Sequence, residues 1–302
     1  MIIYKNLDIQ KKHKNAVLAI GNFDGLHVGH QKVLKEARKK AQSKRLKFGL
    51  ITFEPVPTMY FNKNIKNHRI NSLSQKIYFL KKNKLDFLII ITFNRAFSNL
   101  NAEEFIKKIL FKKLKSQYIF VSRNFKFGKK RIGDIKTLIK FEKKYLYKTV
   151  VTIPYKKKDK IISSSLIRKT INKGCVEKAE KLLGRPWCIE GKVIKGSQRG
   201  RKIGFPTCNI KLRSYIKPKT GVYSVWVQFN NLKKRGIANI GYRPTFNGKS
   251  LLLEVNIFGI KKNLYNKILK ISFINFIRPE KKFKNINQLK YQIKKDIISA
   301  KK

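Results

Sequence analysis

The sequence contains few acidic residues. Its 302 residues include 16 Asp and Glu against 72 Lys and Arg, a formal net charge of +56. Such an excess suggests a polyanionic partner, either a nucleic acid or an anionic membrane surface. However, only 14 of the basic residues are Arg, which nucleic-acid readers favour, and the lysines are spread along the whole chain. We therefore favour compositional drift of the AT-rich kind over a specific nucleic-acid function, and expect only salt-sensitive, non-specific adhesion to polyanions.

Cysteine and long apolar runs are also scarce. The three cysteines, Cys175, Cys188 and Cys208, are odd in number and have no C-x-x-C spacing, which argues against a disulfide framework and against zinc. Apolar runs such as residues 87–91 are too short to cross a bilayer, and residues 1–14 lack the apolar core of a signal peptide. The sequence therefore predicts a soluble, cytoplasmic protein without a membrane partner.

Short apolar runs alternate with lysine-faced segments in the first half of the chain. The predicted strands are 17–20, 48–53, 87–93, 118–121 and 149–153, and the predicted helices are 31–42, 74–82, 102–111 and 136–145. This alternation indicates an α/β domain with a parallel sheet and helices on both faces. Ligands of such sheets bind beyond the carboxyl ends of the strands.

The pattern changes after a predicted helix at 176–183. Gly184 ends that helix and Pro186 prevents another, so we place a domain boundary between residues 184 and 185, giving domains 1–184 and 185–302. The strands predicted beyond it are 188–194, 222–229, 237–240, 251–257 and 268–277, followed by a helix at 286–299. Regularly spaced strands with glycine turns indicate a small antiparallel barrel with a C-terminal helix.

Residues 21–30 (GNFDGLHVGH) join the first of these predicted strands to a helix. A helix N-terminus presents unpaired N–H groups to an anion, and glycines at 21, 25 and 29 let the backbone approach a ligand. His27 and His30 are two of only four histidines in the chain, and their spacing lets both face one polyphosphate. A simpler interpretation is that they only cap the helix. We favour a phosphate site.

The ten residues 21–30 resemble the H-x-G-H signature of nucleotidylyltransferases, in the longer form of bacterial bifunctional riboflavin kinase/FAD synthetases. Residues 162–168 (ISSSLIR) are similar to the second nucleotidylyltransferase signature, with Ser165 where threonine is usual. The resemblance implies a Rossmann-like domain that adenylylates FMN with ATP. It implies ATP-binding residues Gly21, Phe23, Asp24, Gly25, Ser163 and Ser164, and catalytic residues His27, His30 and Arg168, with Arg168 on the leaving pyrophosphate.

Loops after three predicted strands also resemble segments of this family. The implied flavin-binding residues are Pro55, Asn124, Phe125 and Phe127, and we expect the two phenyl rings to flank the isoalloxazine ring while Asn124 hydrogen-bonds it. Alternating phenylalanines are equally typical of a strand core, and a proline-rich loop of a rigid turn. Ser122 departs from the family, which usually has glycine there.

The second half resembles riboflavin kinase. Residues 200–209 (GRKIGFPTCN) match its phosphate segment, with Cys208 in place of alanine, and the catalytic carboxylate falls on Glu254. The resemblance implies ATP binding at Gly196 and Gly204 and Mg²⁺ binding by Thr207 and Asn209, whose side chains offer oxygen ligands. Ser197 stands where an acidic residue is common.

The predicted function is therefore the two-step synthesis of flavin coenzymes, with riboflavin, FMN and ATP as substrates and Mg²⁺ as metal. Two alternatives remain open. An adenylyl- or cytidylyltransferase for another substrate would leave Glu254 and residues 200–209 unexplained. A basic nucleic-acid-binding protein with relic enzyme motifs would instead bind tightly and with sequence selectivity at physiological salt.

Overall fold

The computed structural model describes residues 1–65, 67–157, 160–245, 248–260 and 262–301, without the side chains of 157, 199, 243–245 and 248–250. Backbone contacts divide the chain into two compact units. The first unit is Met1–Lys66 with Leu73–Ser163, and the second is Asn67–Ser72 with Ser164–Lys302.

Six parallel strands form the sheet of the first unit, in the order β1-β4-β3-β2-β5-β6. Their bounds are β1 Ile2–Tyr4, β2 Val17–Ile20, β3 Phe48–Glu54, β4 Phe87–Thr92, β5 Tyr118–Ser122 and β6 Lys148–Thr152. From β2 the chain steps outward through β3 and β4, and then returns to the other side of β2 as β5 and β6. The winding therefore reverses between β2 and β5, and the crevice at their carboxyl ends is where such folds bind ligands.

Helices cover both faces of this sheet. They are α1 Val28–Ser43, α2 Pro57–Phe61, α3 Leu73–Lys82, α4 Arg95–Ser98, α5 Ala102–Glu104, a π-helix at Phe105–Lys113, α6 Ile135–Lys140 and α7 Glu142–Tyr145. All four residues of β2 are buried, because apolar clusters lie on each side of the sheet. The hairpin of β7 Lys156–Lys157 and β8 Lys160–Ile161 follows β6.

The second unit is a near-closed antiparallel barrel with the strand order β10-β13-β12-β11-β14-β9. The strands are β9 Cys188–Lys192, β10 Cys208–Lys211, β11 Gly221–Phe229, β12 Leu232–Thr245, β13 Gly248–Ile257 and β14 Ile268–Arg278. An antiparallel bridge between Ile194 and Asn209 extends β9 toward β10 and so brings the two ends of the sheet together. The helices are α8 Ser164–Asn172, α9 Val176–Leu183, α10 Arg199–Lys202 and the C-terminal α11 Ile286–Lys301.

A short segment from the first half of the sequence, Asn67–Ser72, packs within this second unit. Arg69 forms a parallel bridge with Tyr215, and the indole N–H of the buried Trp187 donates to the carbonyl of Ile70 at 2.9 Å. Arg185 donates to the side chain of Asn71 at 3.0 Å. The segment therefore completes the packing around the start of β9.

The predicted fold class is confirmed: a parallel α/β domain precedes an antiparallel barrel with a C-terminal helix. The predicted helix at 102–111 is a short α-helix that continues as a π-helix, and the one at 136–145 is divided at Phe141. Both β1 and β10 were missed, and β12 extends well beyond the predicted 237–240. The domain boundary at 184/185 stays a prediction. Among the described residues, no helix is long and apolar enough to span a membrane.

One ion pair fixes α11 against the barrel, and its removal is expected to be costly. Arg278 on β14 makes a two-pronged contact with Asp296, which is only 2% exposed, and the shortest of its hydrogen bonds is 2.6 Å. Removing one partner of such a pair leaves the other charge desolvated. We expect Asp296→Ala to lower the free energy of unfolding of the second unit by about 3 kcal/mol in thermal unfolding.

The control for this variant is Asp8→Ala. Asp8 pairs with Lys113 at 2.9 Å on the surface, where its side chain is 73% exposed, and it should contribute less than about 1 kcal/mol. Equal effects of the two substitutions would contradict a special role for the buried pair.

Candidate active sites

The turn between β2 and α1 carries the first candidate site, at the reversal point of the sheet. Three of its residues have positive φ: Phe23 at 45°, Gly25 at 80° and Leu26 at 39°. Only Gly25 adopts this conformation without steric cost. Phe23, Asp24 and Leu26 are nevertheless almost fully buried. The surrounding structure therefore holds this turn in a conformation that the isolated chain would avoid.

His27 and His30 lie together at the start of α1. His27 is the N-cap residue, and the backbone N–H of His30 donates to its Nδ1 at 3.3 Å. The two rings stack with centroids 3.6 Å apart and planes 19° apart. Since Nδ1 of His27 is an acceptor, the proton of the neutral ring is on Nε2. His27 thus caps the helix, and its contact with phosphate stays a prediction.

Gly29 makes room for this arrangement. A Cβ at position 29 would lie 3.1 Å from Nδ1 and 3.2 Å from Cε1 of His27, closer than most side chains tolerate. Similarly, a Cβ at position 21 would lie 3.3 Å from the ring of Phe23. The glycines of the motif therefore accommodate neighbouring aromatic rings as well as a ligand.

The second signature begins beside this turn. The carbonyl of Ile162 lies 3.6 Å from the position that a Cβ of Gly29 would occupy, and Ser163 follows it in the first unit. Ser164 begins α8 in the second unit, and Arg168 is one turn further along that helix. The guanidinium Nε of the half-buried Arg168 donates to the carbonyl of His68 at 2.8 Å, which fixes the direction of the side chain.

The predicted flavin residues lie in loops after β3 and β5. Asn124 is exposed, and Phe125 and Phe127 stack with centroids 5.5 Å apart and planes 18° apart. At that separation no third ring fits between them in this structure, and their role in flavin binding stays a prediction. Phe127 is buried in the core, which leaves the half-buried Phe125 as the ring available to a ligand. The backbone carbonyl of Ser122 accepts a hydrogen bond from the N–H of Phe125 at 2.9 Å, which closes this loop.

Further aromatic side chains lie beyond the carboxyl ends of β3 and β4, and their exposure was not predicted from the sequence. Pro55 precedes α2, where Phe61 is 67% exposed. Its ring contacts those of Tyr60 and Phe93 at centroid distances of 5.2 and 5.6 Å. An apolar ring left in solvent on an aromatic cluster favours a planar ligand. Its exposure is a three-dimensional property that the sequence does not reveal.

The second candidate site is a row of polar side chains across the barrel. Glu254 on β13 lies directly opposite Asn209 on β10 and Asn239 on β12, so all three project from the same face of the sheet. The neighbours of Glu254 in sequence, Leu253 and Val255, are fully buried on the other face. The half-buried Glu254 therefore lies between two asparagines on one face of the sheet.

A glycine-rich loop packs against this row. A Cβ at Gly196 would collide with the amide of Asn209, so only glycine permits this approach. Gly204 has φ of 91° and faces open space, and the side chain of Asn256 donates to the carbonyl of Pro206 at 2.7 Å. Thr207 is exposed at the end of the loop. The loop is thus tied to the strand that carries Glu254.

The donors in this region suit a hard cation. A hydroxyl on Thr207 and an amide oxygen on Asn209 are the oxygen ligands that Mg²⁺ accepts alongside water and nucleotide phosphates. No cluster of three His, Cys, Asp or Glu side chains arranged for a metal occurs among the described residues. A site built on few protein ligands and on the nucleotide itself is consistent with that composition.

Glu280, beyond the end of β14, was also missed. A Cβ at Gly241 would collide with its carboxylate, and the amide of Asn239 lies 3.5 Å from its Oε1. This places a second carboxylate beside the row that contains Glu254. In the sequence Glu280 is indistinguishable from a surface charge.

Comparison with known proteins also divides the chain into two parts. A family model described as FAD synthetase matches residues 9–166, and one described as riboflavin kinase matches residues 183–302. Curated proteins named bifunctional riboflavin kinase/FMN adenylyltransferase are similar over nearly the full length. The one from Buchnera aphidicola subsp. Schizaphis graminum is 41% identical (98% of this chain, 96% of that protein), and the one from Haemophilus influenzae is 38% identical (95% and 94%).

A relative of the same name from Escherichia coli K12 is 34% identical and covers 96% of this chain and 93% of its own. Among solved structures, one described as a macrolide-efflux protein from Streptococcus pneumoniae has a TM-score of 0.87 at 30% identity, covering 99% of this chain and 98% of that chain. The complete fold, with both units in this order, is therefore shared with a protein of the same extent.

The three free cysteines are expected to differ in reactivity. Burial raises the pKa of Cys208 to about 11 and that of Cys188 to about 11, whereas Cys175 is exposed. At pH 8 a thiol pKa of 11 leaves roughly a hundredfold less thiolate than the ordinary value. We expect N-ethylmaleimide to modify Cys175 alone, as determined by peptide mass spectrometry of the native protein. Modification of Cys208 at a similar rate would show that its thiol is more accessible than the structure indicates.

Proposed function

The chain belongs to the family of bifunctional riboflavin kinase/FMN adenylyltransferases, and from this premise we propose which residues carry each of its two reactions. It phosphorylates riboflavin with ATP to give FMN, and it adenylylates FMN with a second ATP to give FAD and pyrophosphate. We assign adenylyl transfer to residues 1–184 and the kinase to residues 185–302.

In the kinase, we assign the role of general base to Glu254. The ribityl 5′-hydroxyl of riboflavin attacks the γ-phosphorus of ATP, its proton passes to the carboxylate, and the bond to the leaving ADP breaks. The register supports this role because it places Glu254 between Asn209 and Asn239, and Asn209 lies against Gly196 of the glycine-rich loop. Backbone N–H groups around Gly196 and Gly204 bind the ATP phosphates.

Mg²⁺ is the metal that we propose for this site, with Thr207 and Asn209 as its protein ligands. When bound, it neutralises charge on the phosphoryl oxygens of ATP. Asn209 is 7% exposed and its amide is fixed against Gly196, so its oxygen is positioned before the nucleotide binds.

In the adenylyltransferase, an oxygen of the FMN phosphate attacks the α-phosphorus of ATP and pyrophosphate leaves. Gly21, Phe23, Asp24 and Gly25 form the turn that binds ATP, with Ser163 and Ser164 on its phosphates. His27 and His30 donate to phosphate oxygens, and we assign Arg168 to the leaving pyrophosphate. Within the second unit, Nε of Arg168 donates to the carbonyl of His68. Pro55, Asn124, Phe125 and Phe127 belong to the flavin site, in which Phe125 contacts the ring and Phe127 supports it from the core.

The row Asn209, Glu254 and Asn239 is the observation that carries the kinase assignment, and Glu254→Gln tests it. The amide keeps the shape of the side chain but cannot accept the proton. We expect FMN formation to fall by at least about a thousandfold, while FAD formation from supplied FMN stays within twofold. Both products are separated by chromatography.

Glu190→Gln is the matched control, since Glu190 is half-buried on β9 of the same barrel and lies outside the row. It should leave both rates unchanged. Loss of both activities in Glu254→Gln would count against two separate sites, and unchanged FMN formation would remove Glu254 from the mechanism.

We attribute no specific nucleic-acid or membrane partner to the net charge of +56, and place the protein in a reducing cytoplasm in accord with its three free cysteines. Binding to heparin or to DNA of unrelated sequences should be similar, and should weaken by at least about a hundredfold between 50 and 200 mM salt. Fluorescence anisotropy of labelled DNA or heparin measures this binding. Selective binding to one sequence that persists at 200 mM salt would favour the nucleic-acid alternative.

A further inference from the structure

Lys76 on α3 differs from the other lysines of this lysine-rich chain. Its side chain is 2% exposed, and among the residues whose side chains the structure describes it is the only lysine that is buried. Burying an ammonium group is expensive unless polar partners replace its water. A chain with so many surface lysines has no need to place one in the interior for solubility. The position of Lys76 therefore calls for a specific role.

The ammonium of Lys76 lies beneath the turn between β2 and α1. Its Nζ donates to the carbonyl of Asn22 at 2.9 Å and to Oγ1 of Thr52, near the carboxyl end of β3, at 3.3 Å. The hydroxyl of Thr52 in turn donates to the carbonyl of Asn22 at 3.1 Å. Two donors from two different elements thus converge on one backbone carbonyl.

That carbonyl immediately precedes the strained part of the turn. The peptide group it belongs to is planar and trans, so fixing the oxygen of Asn22 also fixes the direction of the N–H of Phe23 on the opposite side. Phe23 has φ of 45°, a conformation that persists only when neighbouring groups enforce it. Charge-assisted hydrogen bonds are among the strongest means of doing so.

We propose that Lys76 is a positioning residue for adenylyl transfer: through Asn22 and Thr52 it holds the turn of residues 21–27 in the conformation that aligns bound ATP for the reaction. This role rests on the proposed function of the turn, and Lys76 itself does not contact the reacting atoms.

The test is Lys76→Met, which keeps the length of the side chain and removes its donors. We expect kcat for FAD formation from FMN to fall by about 10- to 100-fold, since small displacements of a reacting group have effects of that order. The KM for ATP should change less than threefold. Riboflavin kinase activity in the same preparation should be unchanged, and the melting temperature should drop by no more than about 4 °C.

Lys81→Met is the matched control, because Lys81 lies on the same helix and is exposed. It should match the wild type in all four measurements. A kcat for Lys76→Met within twofold of the wild type would overturn the proposal. So would parallel losses of both activities and of thermal stability, which would indicate a role in folding only.

Thr52 provides a second test that leaves the buried charge in place. Thr52→Val removes the hydroxyl with little change of shape and should lower kcat for FAD formation several-fold. Thr52→Ser keeps the hydroxyl and should have a kcat close to that of the wild type. Because both residues act on Asn22, the effects of Lys76→Met and Thr52→Val should be less than additive. Full additivity would show that they act separately and would contradict the proposal. A wild-type protein that makes FMN but no FAD would instead overturn the proposed function of the turn, and this role with it.

Discussion

The hydrogen bond from the backbone N–H of His30 to the ring of His27 organises the candidate site of the first unit. It closes the N-terminus of α1 with an imidazole where serine or aspartate would ordinarily serve. The ring can fold back in this way because Gly29 has no side chain to meet it, and it then stacks on His30. One local constraint therefore produces both the helix cap and a pair of adjacent imidazoles at the reversal point of the sheet.

In the second unit, the register of the strands positions the polar side chains of the candidate site. Opposing residues on neighbouring strands share a face of the sheet, and this places a carboxylate on β13 between amides on β10 and β12. The missing side chain at Gly196 lets the glycine-rich loop approach the same row. Each unit thus builds its site from backbone geometry first, and the polar side chains follow from it. The residues that we propose for the two reactions do not overlap.

Much of this was accessible from the sequence. The alternation of buried strands and lysine-faced helices predicted the parallel sheet because strands covered on both faces are uniformly apolar, as β2 is. The motifs at 21–30 and 200–209 indicated both candidate sites, because glycine spacing reflects backbone conformation. The resemblance to a family supplied the substrates, which no residue pattern alone provides.

What escaped prediction depends on contacts between residues distant in sequence. Lys76 looks like any other lysine of α3 until its burial is known, and Glu280 like any surface carboxylate. The stacking of Phe125 on Phe127 depends on the packing of the core, which the spacing of the two residues in the sequence does not reveal. The segment Asn67–Ser72 joins the second unit through a bridge to Tyr215 that no local pattern encodes.

A time course of products tests whether two separate active sites on this chain act in sequence. The purified wild-type protein is incubated with riboflavin, ATP and Mg²⁺, and the flavins are separated by chromatography. We expect FMN to appear first and then to decline as FAD accumulates. FMN that accumulates without FAD would contradict the role proposed for the turn between β2 and α1, and the absence of both products would contradict both proposed activities.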